Sequence, residues 1–227
     1  MAHRRAIAPA QAATGDELTA DLVGVGMLFG GEGSRDPNIE DALLFASVEG
    51  MERGDLRVLA VLVTWFGIHA GRVNVDRLTR LVAMGESRRV RAFWSAVACW
   101  RASDRRFARL AQVYRGGRVD LLTTGTDFQV GRHGEDSRFA GSKLRVPAHV
   151  LRDRPSDVLA PTEPAKQHSA YRWRLVIGPT YRADMWAALE RQPELTAAAL
   201  ARATYGSFAS AWQARKDYTT WKSAQRR

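Results

Sequence analysis

The chain has a single cysteine, Cys99, in 227 residues, which excludes an intramolecular disulfide and any zinc site built on several cysteines. Its setting, FWSAVACW, is an apolar helical run, so the expectation is a buried, inert thiol and not a nucleophile. No apolar stretch is long enough to cross a bilayer: the longest, Leu56 to Ile68, contains Arg57. The opening MAHRRAIAPAQAATGDELTA carries two arginines with no hydrophobic segment behind them, and reads as a frayed tail, not a signal peptide. These absences lead to the expectation of a soluble, cytoplasmic protein with no membrane partner.

Catalytic motifs are missing as well. The leader, residues 1–35, ends in the glycine-rich GVGMLFGGEGS, but no Gly-Lys-Ser/Thr opens a helix there and no strand precedes it. A phosphate loop or dinucleotide cradle needs one or the other. The five histidines, His3, His69, His133, His149 and His168, are scattered, and none stands at HExxH spacing. GxSxG and Ser-x-x-Lys arrangements are absent, as is any repeat of fixed period. One dense polar cluster exists, RHGED, with Asp127 nearby. His133, Glu135 and Asp136 would be its metal-binding groups if it hydrolysed phosphodiesters. A glycine-flanked surface turn explains the same residues without chemistry. The expectation is a protein that is not an enzyme and carries no cofactor.

What the chain has is positive charge, +10 overall, and it is concentrated. Residues 86–118 hold nine basic and two acidic side chains, net +7, and residues 181–227 hold eight and four, net +4, leaving −1 for everything else. Two basic blocks suit a polyanion footprint better than a general solubility device, although any one arginine is well explained by a solvated helix face.

A hydrophobic content of 45% with all aromatic types present indicates a folded chain, and its periodicity is mainly α. Asp36-Pro37 is a helix start, with Asp36 as N-cap, for a helix over about 38–52. An apolar helix over 56–69, a short one over 74–83, a longer one over 87–100 and an amphipathic one over 104–114 complete a helical domain at 36–115. Residues 116–179 show no sustained helical period; they read as an irregular connector or subdomain with short strands at 144–146 and 173–177, packed on a neighbour. Trp65, Trp94, Trp100 and Trp186 fall on apolar faces. Trp173, Trp212 and Trp221 stand near basic residues, where base stacking is conceivable but core packing is favoured.

Residues 180–227 break into three short helices, at Gln192-Pro193 and at Tyr205-Gly206. Thr196 is the N-cap of the middle piece, and Ala197, Ala198, Ala199 and Ala201 allow close helix packing. Met185, Leu189, Leu195, Leu200, Ala211 and Ala214 make the core, Phe208 and Trp212 form a further stripe, and Tyr218 completes the anchor. This pattern resembles the helix-turn-helix, winged-helix-like domains of bacterial transcription regulators over about 40 residues. Glycine stands one place later than the usual turn glycine, and TTWKSAQRR lacks a hairpin wing. The resemblance implies that Ser207, Ser210, Gln213, Lys216 and Arg215 face the major groove, and that Arg202, Lys216, Lys222, Arg226 and Arg227 contact phosphates. A second, weaker echo at 74–100 would open its helix with Arg88, Arg89 and Arg91 near a groove; an all-helical dimerisation or partner-binding domain explains it equally well.

The function expected on these grounds is sequence-specific binding of double-stranded DNA as a transcriptional regulator, with the N-terminal helices as the homodimer contact. An antitoxin or adaptor that binds a protein partner is the first alternative, and a metal-dependent nucleic-acid-processing enzyme is the second. A plain three-helix cap on the N-terminal domain is the structural alternative for 180–227.

Overall fold

Helix dominates the computed structural model, which describes residues 8–9 and 11–225 and is 61% helical with two strands of two residues each. The N-terminal arginines, His3, Arg226 and Arg227 lie outside the described residues.

The larger of two apolar cores is built on α2 (Ile39–Glu52), α3 (Leu56–His69), α4 (Val75–Met84) and α5 (Arg88–Trp100). Helix α3 is apolar almost all round and is accordingly the central helix, with Leu59, Val61, Leu62 and Trp65 fully enclosed. The four helices start where short polar side chains can take up free amides. Asn38, Asp55, Asn74 and Ser87 each accept a backbone N–H of the first turn, a contribution of about 1 kcal/mol per cap.

Asp36 is not the N-cap that its place before proline indicated. Asn38 is, and Asp36 adopts φ 53 and turns to the far end of the chain, accepting from Ser169 Oγ at 2.8 Å and pairing with Arg191 at 2.8 Å. From Gly15 on, the leader, expected as flexible, is likewise part of the fold. Helix α1 (Gly15–Gly24) buries Leu18 and Leu22, and the Trp65 indole donates to the Val25 carbonyl at 2.9 Å. A side chain at Gly24 would run into the Ser34 carbonyl oxygen and the Pro37 ring, so this glycine is where α1 and the following loop touch. Cys99 is exposed: α5 buries residues 92–98, but its last turn leaves the core.

Residues 104–114, expected as one α-helix, form two 3-10 turns, Arg105–Ala108 and Leu110–Gln112. Phe107 and Leu110, three apart, stack on the same side of that tighter spiral and enter the core. Residues 119–158 of the middle region pack on the larger core, as expected, and the region is more helical than its sequence indicated. Strand β1 (Val119–Asp120) pairs in parallel with β2 (Leu144–Arg145), Val119 opposite Leu144, and α6 (Thr126–His133) lies between them in sequence. A short α7 (Thr162–Gln167) leads into α8 (Ser169–Ile177). The WRLVI segment expected as a strand is therefore helical. Its β-prone residues are overridden because Ala170, Trp173 and Ile177, at helical spacing, all face the second core.

That second core joins α8 to α9 (Tyr181–Arg191), α10 (Ala197–Ala203) and α11 (Phe208–Gln225). Trp173, Trp186, Tyr218 and Trp221 interlock edge-on and tilted, with ring centroids 5.0–5.6 Å apart. The boundary expected at 180 thus falls inside this core.

The two cores meet across buried charge. Arg174 of α8, 1% exposed, donates to Glu40 at 2.6 and 2.9 Å, to Asp184 at 2.8 and 3.0 Å, and to the Arg72 carbonyl at 2.9 Å. Arg77 of α4 donates to Asn38 at 2.6 Å and Asp41 at 2.7 Å, stands 3.8 Å from Glu40, and lies under the Tyr205 ring at 4.3 Å. Burial opposes ionisation of all three carboxylates. Arg174 outweighs it at Glu40, whose carboxyl is held below the usual range, whereas burial raises Asp184 and lifts Asp41 to about 6. Three acids share two guanidiniums, and Glu40, which faces both, is held as the anion while burial prevails at Asp41 and Asp184.

Candidate nucleic-acid interface

Helices α9, α10 and α11 pack pairwise on one another as a trihelical unit. The local sequence explains its shape. Pro193 follows the end of α9, and the Thr196 hydroxyl accepts from the Ala199 amide at 3.2 Å to start α10. After seven residues α10 gives way to the turn Thr204-Tyr205-Gly206, where Tyr205 takes the left-handed conformation, φ 56. Gly206 has no room for a side chain, because a Cβ there would overlap the Met185 methyl of α9. The Ser207 hydroxyl then accepts from the Ser210 amide at 3.0 Å, capping α11.

Along α11 the buried residues are Ala211, Ala214 and Tyr218, a helical stripe that holds it to α9 and α10. The opposite face is open: Ser210, Gln213 and Lys216 are exposed, and Ser207 and Arg215 are half-buried. Ser207 donates to Ser210 Oγ at 2.7 Å, which leaves the Ser210 hydroxyl hydrogen free. The Gln213 amide nitrogen donates to Asp217 at 2.8 Å, which leaves its carbonyl oxygen as an acceptor. Arg202 is exposed on α10. Lys216 lies over Trp212 at 5.8 Å, and Lys222 over Tyr218 and Trp221 at 5.9 and 5.5 Å. Phe208 and Trp212 do form a stripe, but it points to solvent, with the two side chains 61% and 54% exposed. Trp173, in contrast, is core.

The weaker echo at 74–100 has a different fate. Helix α5 is enclosed from Ala92 to Ala98, so it cannot lie in a groove. Arg89 is spent on the carbonyls of Met51, Asp120 and Leu121 at 2.9, 3.2 and 2.8 Å. Arg88 donates to the Tyr114 hydroxyl at 2.6 Å, and Arg91 to the Glu86 carbonyl at 3.4 Å. Arg88 and Arg89 tie segments together, Arg91 reaches only the residue before the cap of its own helix, and the three do not open a reading helix.

The RHGED cluster is also held by arginines. Glu135 accepts from Arg118 at 3.0 and 2.6 Å, and Asp136 from Arg138 at 3.0 and 2.6 Å. His133, exposed at the end of α6, faces His149 with ring centroids 6.2 Å apart. Among the described residues, no group of three or more His, Cys, Asp or Glu side chains converges to hold a metal ion, and no helix is long and apolar enough to cross a membrane.

No protein-family model, curated protein or solved structure matches this chain.

Proposed function

We propose that the chain binds double-stranded DNA through α11 and acts as a transcriptional regulator. The observation that carries this reading is the trihelical unit itself: a seven-residue helix, a three-residue turn closed by Gly206, and an 18-residue helix whose polar face is open. At about 1.5 Å per residue, α11 is roughly 27 Å long, and a major groove about 12 Å wide admits such a helix. Gln213, its amide nitrogen held by Asp217, accepts through its carbonyl oxygen from the exocyclic amine of adenine or cytosine; Ser210 donates to a base-edge acceptor. Arg202 and Lys216 take phosphates, which set affinity and register but not sequence.

The test is a selection of duplexes from a random pool by gel shift, repeated over a salt series. Affinity should fall steeply with salt. Gln213→Ala should relax preference at one base pair, a change of about 1–3 kcal/mol there, and Arg202→Ala should weaken all sequences alike. Unchanged binding in both variants would remove α11 as the reading helix.

The exposed Phe208–Trp212 stripe supports a second reading, an antitoxin or adaptor that sets these rings against a protein partner and uses DNA for autoregulation. On that reading the chain with both rings replaced by serine keeps its salt-dependent duplex binding and loses its co-purifying partner.

A further inference from the structure

Several surface arginines of this protein are already neutralised. Arg53 pairs with Glu49, Arg106 with Asp104, Arg118 with Glu135, Arg145 with Asp127, Arg172 with Glu190 and Arg182 with Asp217. Three stand apart. Arg80, Arg105 and Arg109 are exposed, and their side chains make no hydrogen bond or ion pair with any described residue. Arg80 has Asp76 one turn before it on α4 and does not pair with it; Arg105 has Asp104 beside it, but that carboxylate is taken by Arg106.

Their placement follows from packing. On α4, Val75, Leu78, Leu81 and Val82 face inward, Arg77 lies at the edge of that buried side, and Arg80, three residues on, projects outward along the same edge. The Tyr205 ring stacks on the Arg77 guanidinium at 4.3 Å, so this edge of α4 abuts the turn that feeds α11. The 3-10 segment carrying Arg105 and Arg109 packs against α4 in turn. Glu40, Asp184 and Arg174 close the junction with buried bonds of 2.6–3.0 Å.

We infer that Arg80, with Arg105 and Arg109 behind it, is a second phosphate-contact surface on the N-terminal body, continuous with α11, so that a bound duplex is held by both cores. This rests on the reading of α11 as a duplex-binding helix and extends the footprint beyond the trihelical unit. A guanidinium suits the task because it takes two phosphate oxygens at once and stays charged. The surface carries no sequence information; it adds affinity and sets the direction in which the duplex leaves the reading helix.

The experiment measures the full-length chain on a labelled random-sequence duplex by fluorescence anisotropy over a salt series, for wild type, Arg80→Gln, the triple variant R80Q/R105Q/R109Q and Gln213→Ala. All four positions are exposed, and circular dichroism confirms that each variant is folded. The slope of log affinity against log salt should fall by about one for Arg80→Gln and by about two to three for the triple variant. Gln213→Ala should keep the wild-type slope. A triple variant with an unchanged slope overturns the second surface and leaves α11 as the reader. A wild type with no salt-dependent duplex binding overturns both.

Discussion

Asp41 is the residue whose chemistry is set most completely by its surroundings. It stands in the first turn of α2, is 7% exposed, and shares Arg77 with Glu40, so burial lifts its carboxyl from 3.8 to about 6. Between those two values the folded chain keeps a proton that the unfolded chain has lost. Stability therefore falls as pH rises through this window, by up to about 3 kcal/mol for a shift of this size. His69 acts in the opposite sense. Burial pushes it from 6.5 down to about 4, and the stability of its neutral form is lost as pH falls through that range. The two slopes overlap, so Asp41 is isolated by difference. The stability of Asp41→Asn minus that of wild type, from urea unfolding, should increase between pH 3.8 and about 6 and level off above it. A flat difference would show that Asp41 ionises in the folded chain as freely as in water.

The α8–α9 pair decides how the two halves of the chain are joined, and Arg174 is the side chain through which it does so. Replacing it by methionine keeps much of its volume but leaves Glu40 and Asp184 facing each other, both buried and without their main counter-charge. Breaking a buried pair in this way costs about 3–5 kcal/mol. The denaturant midpoint of Arg174→Met should fall accordingly, and a loss below about 1 kcal/mol would mean that apolar contacts alone hold the junction. The same element shows where sequence reading stops. The helices at 39–52, 56–69, 75–84 and 88–100 were visible because their apolar residues recur at three and four and short polar residues open them. WRLVI gives five residues of strand-prone chemistry, and its helical signal is the spacing of Ala170, Trp173 and Ile177, which is legible only once a second core is known to need filling. At the candidate site, Thr196, the Tyr205-Gly206 turn and the inward Ala211 and Ala214 were readable for the same local reasons; that Arg88 and Arg89 serve packing was not, because their acceptors, the Tyr114 hydroxyl and the carbonyls of Met51, Asp120 and Leu121, are 26–38 residues away.

Taken as a whole, the molecule is two apolar cores with a charged seam. The trihelical unit is completed by Trp173, packed on Trp186 and Trp221, and is anchored through Arg174 and Asp184 to Glu40. A fragment of residues 180–227 lacks both Trp173 and Arg174 and exposes the indole cluster to water. It should show no cooperative thermal transition by circular dichroism, whereas the full chain should. A cooperative transition in the fragment would establish the C-terminal unit as independent and the seam as secondary.

Helix positions, caps, the mainly α class and the open face of α11 are written in residues within a turn or two of one another, because hydrogen-bonded helix and its amphipathic period depend on near neighbours. The incorporation of the leader, the turning of Asp36 toward Ser169, the burial of Glu40 and Arg174 and the exposure of Phe208 and Trp212 depend on partners up to 134 residues away. Those contacts exist because two cores have to share one boundary, and which charges meet there follows from packing geometry that no local pattern records.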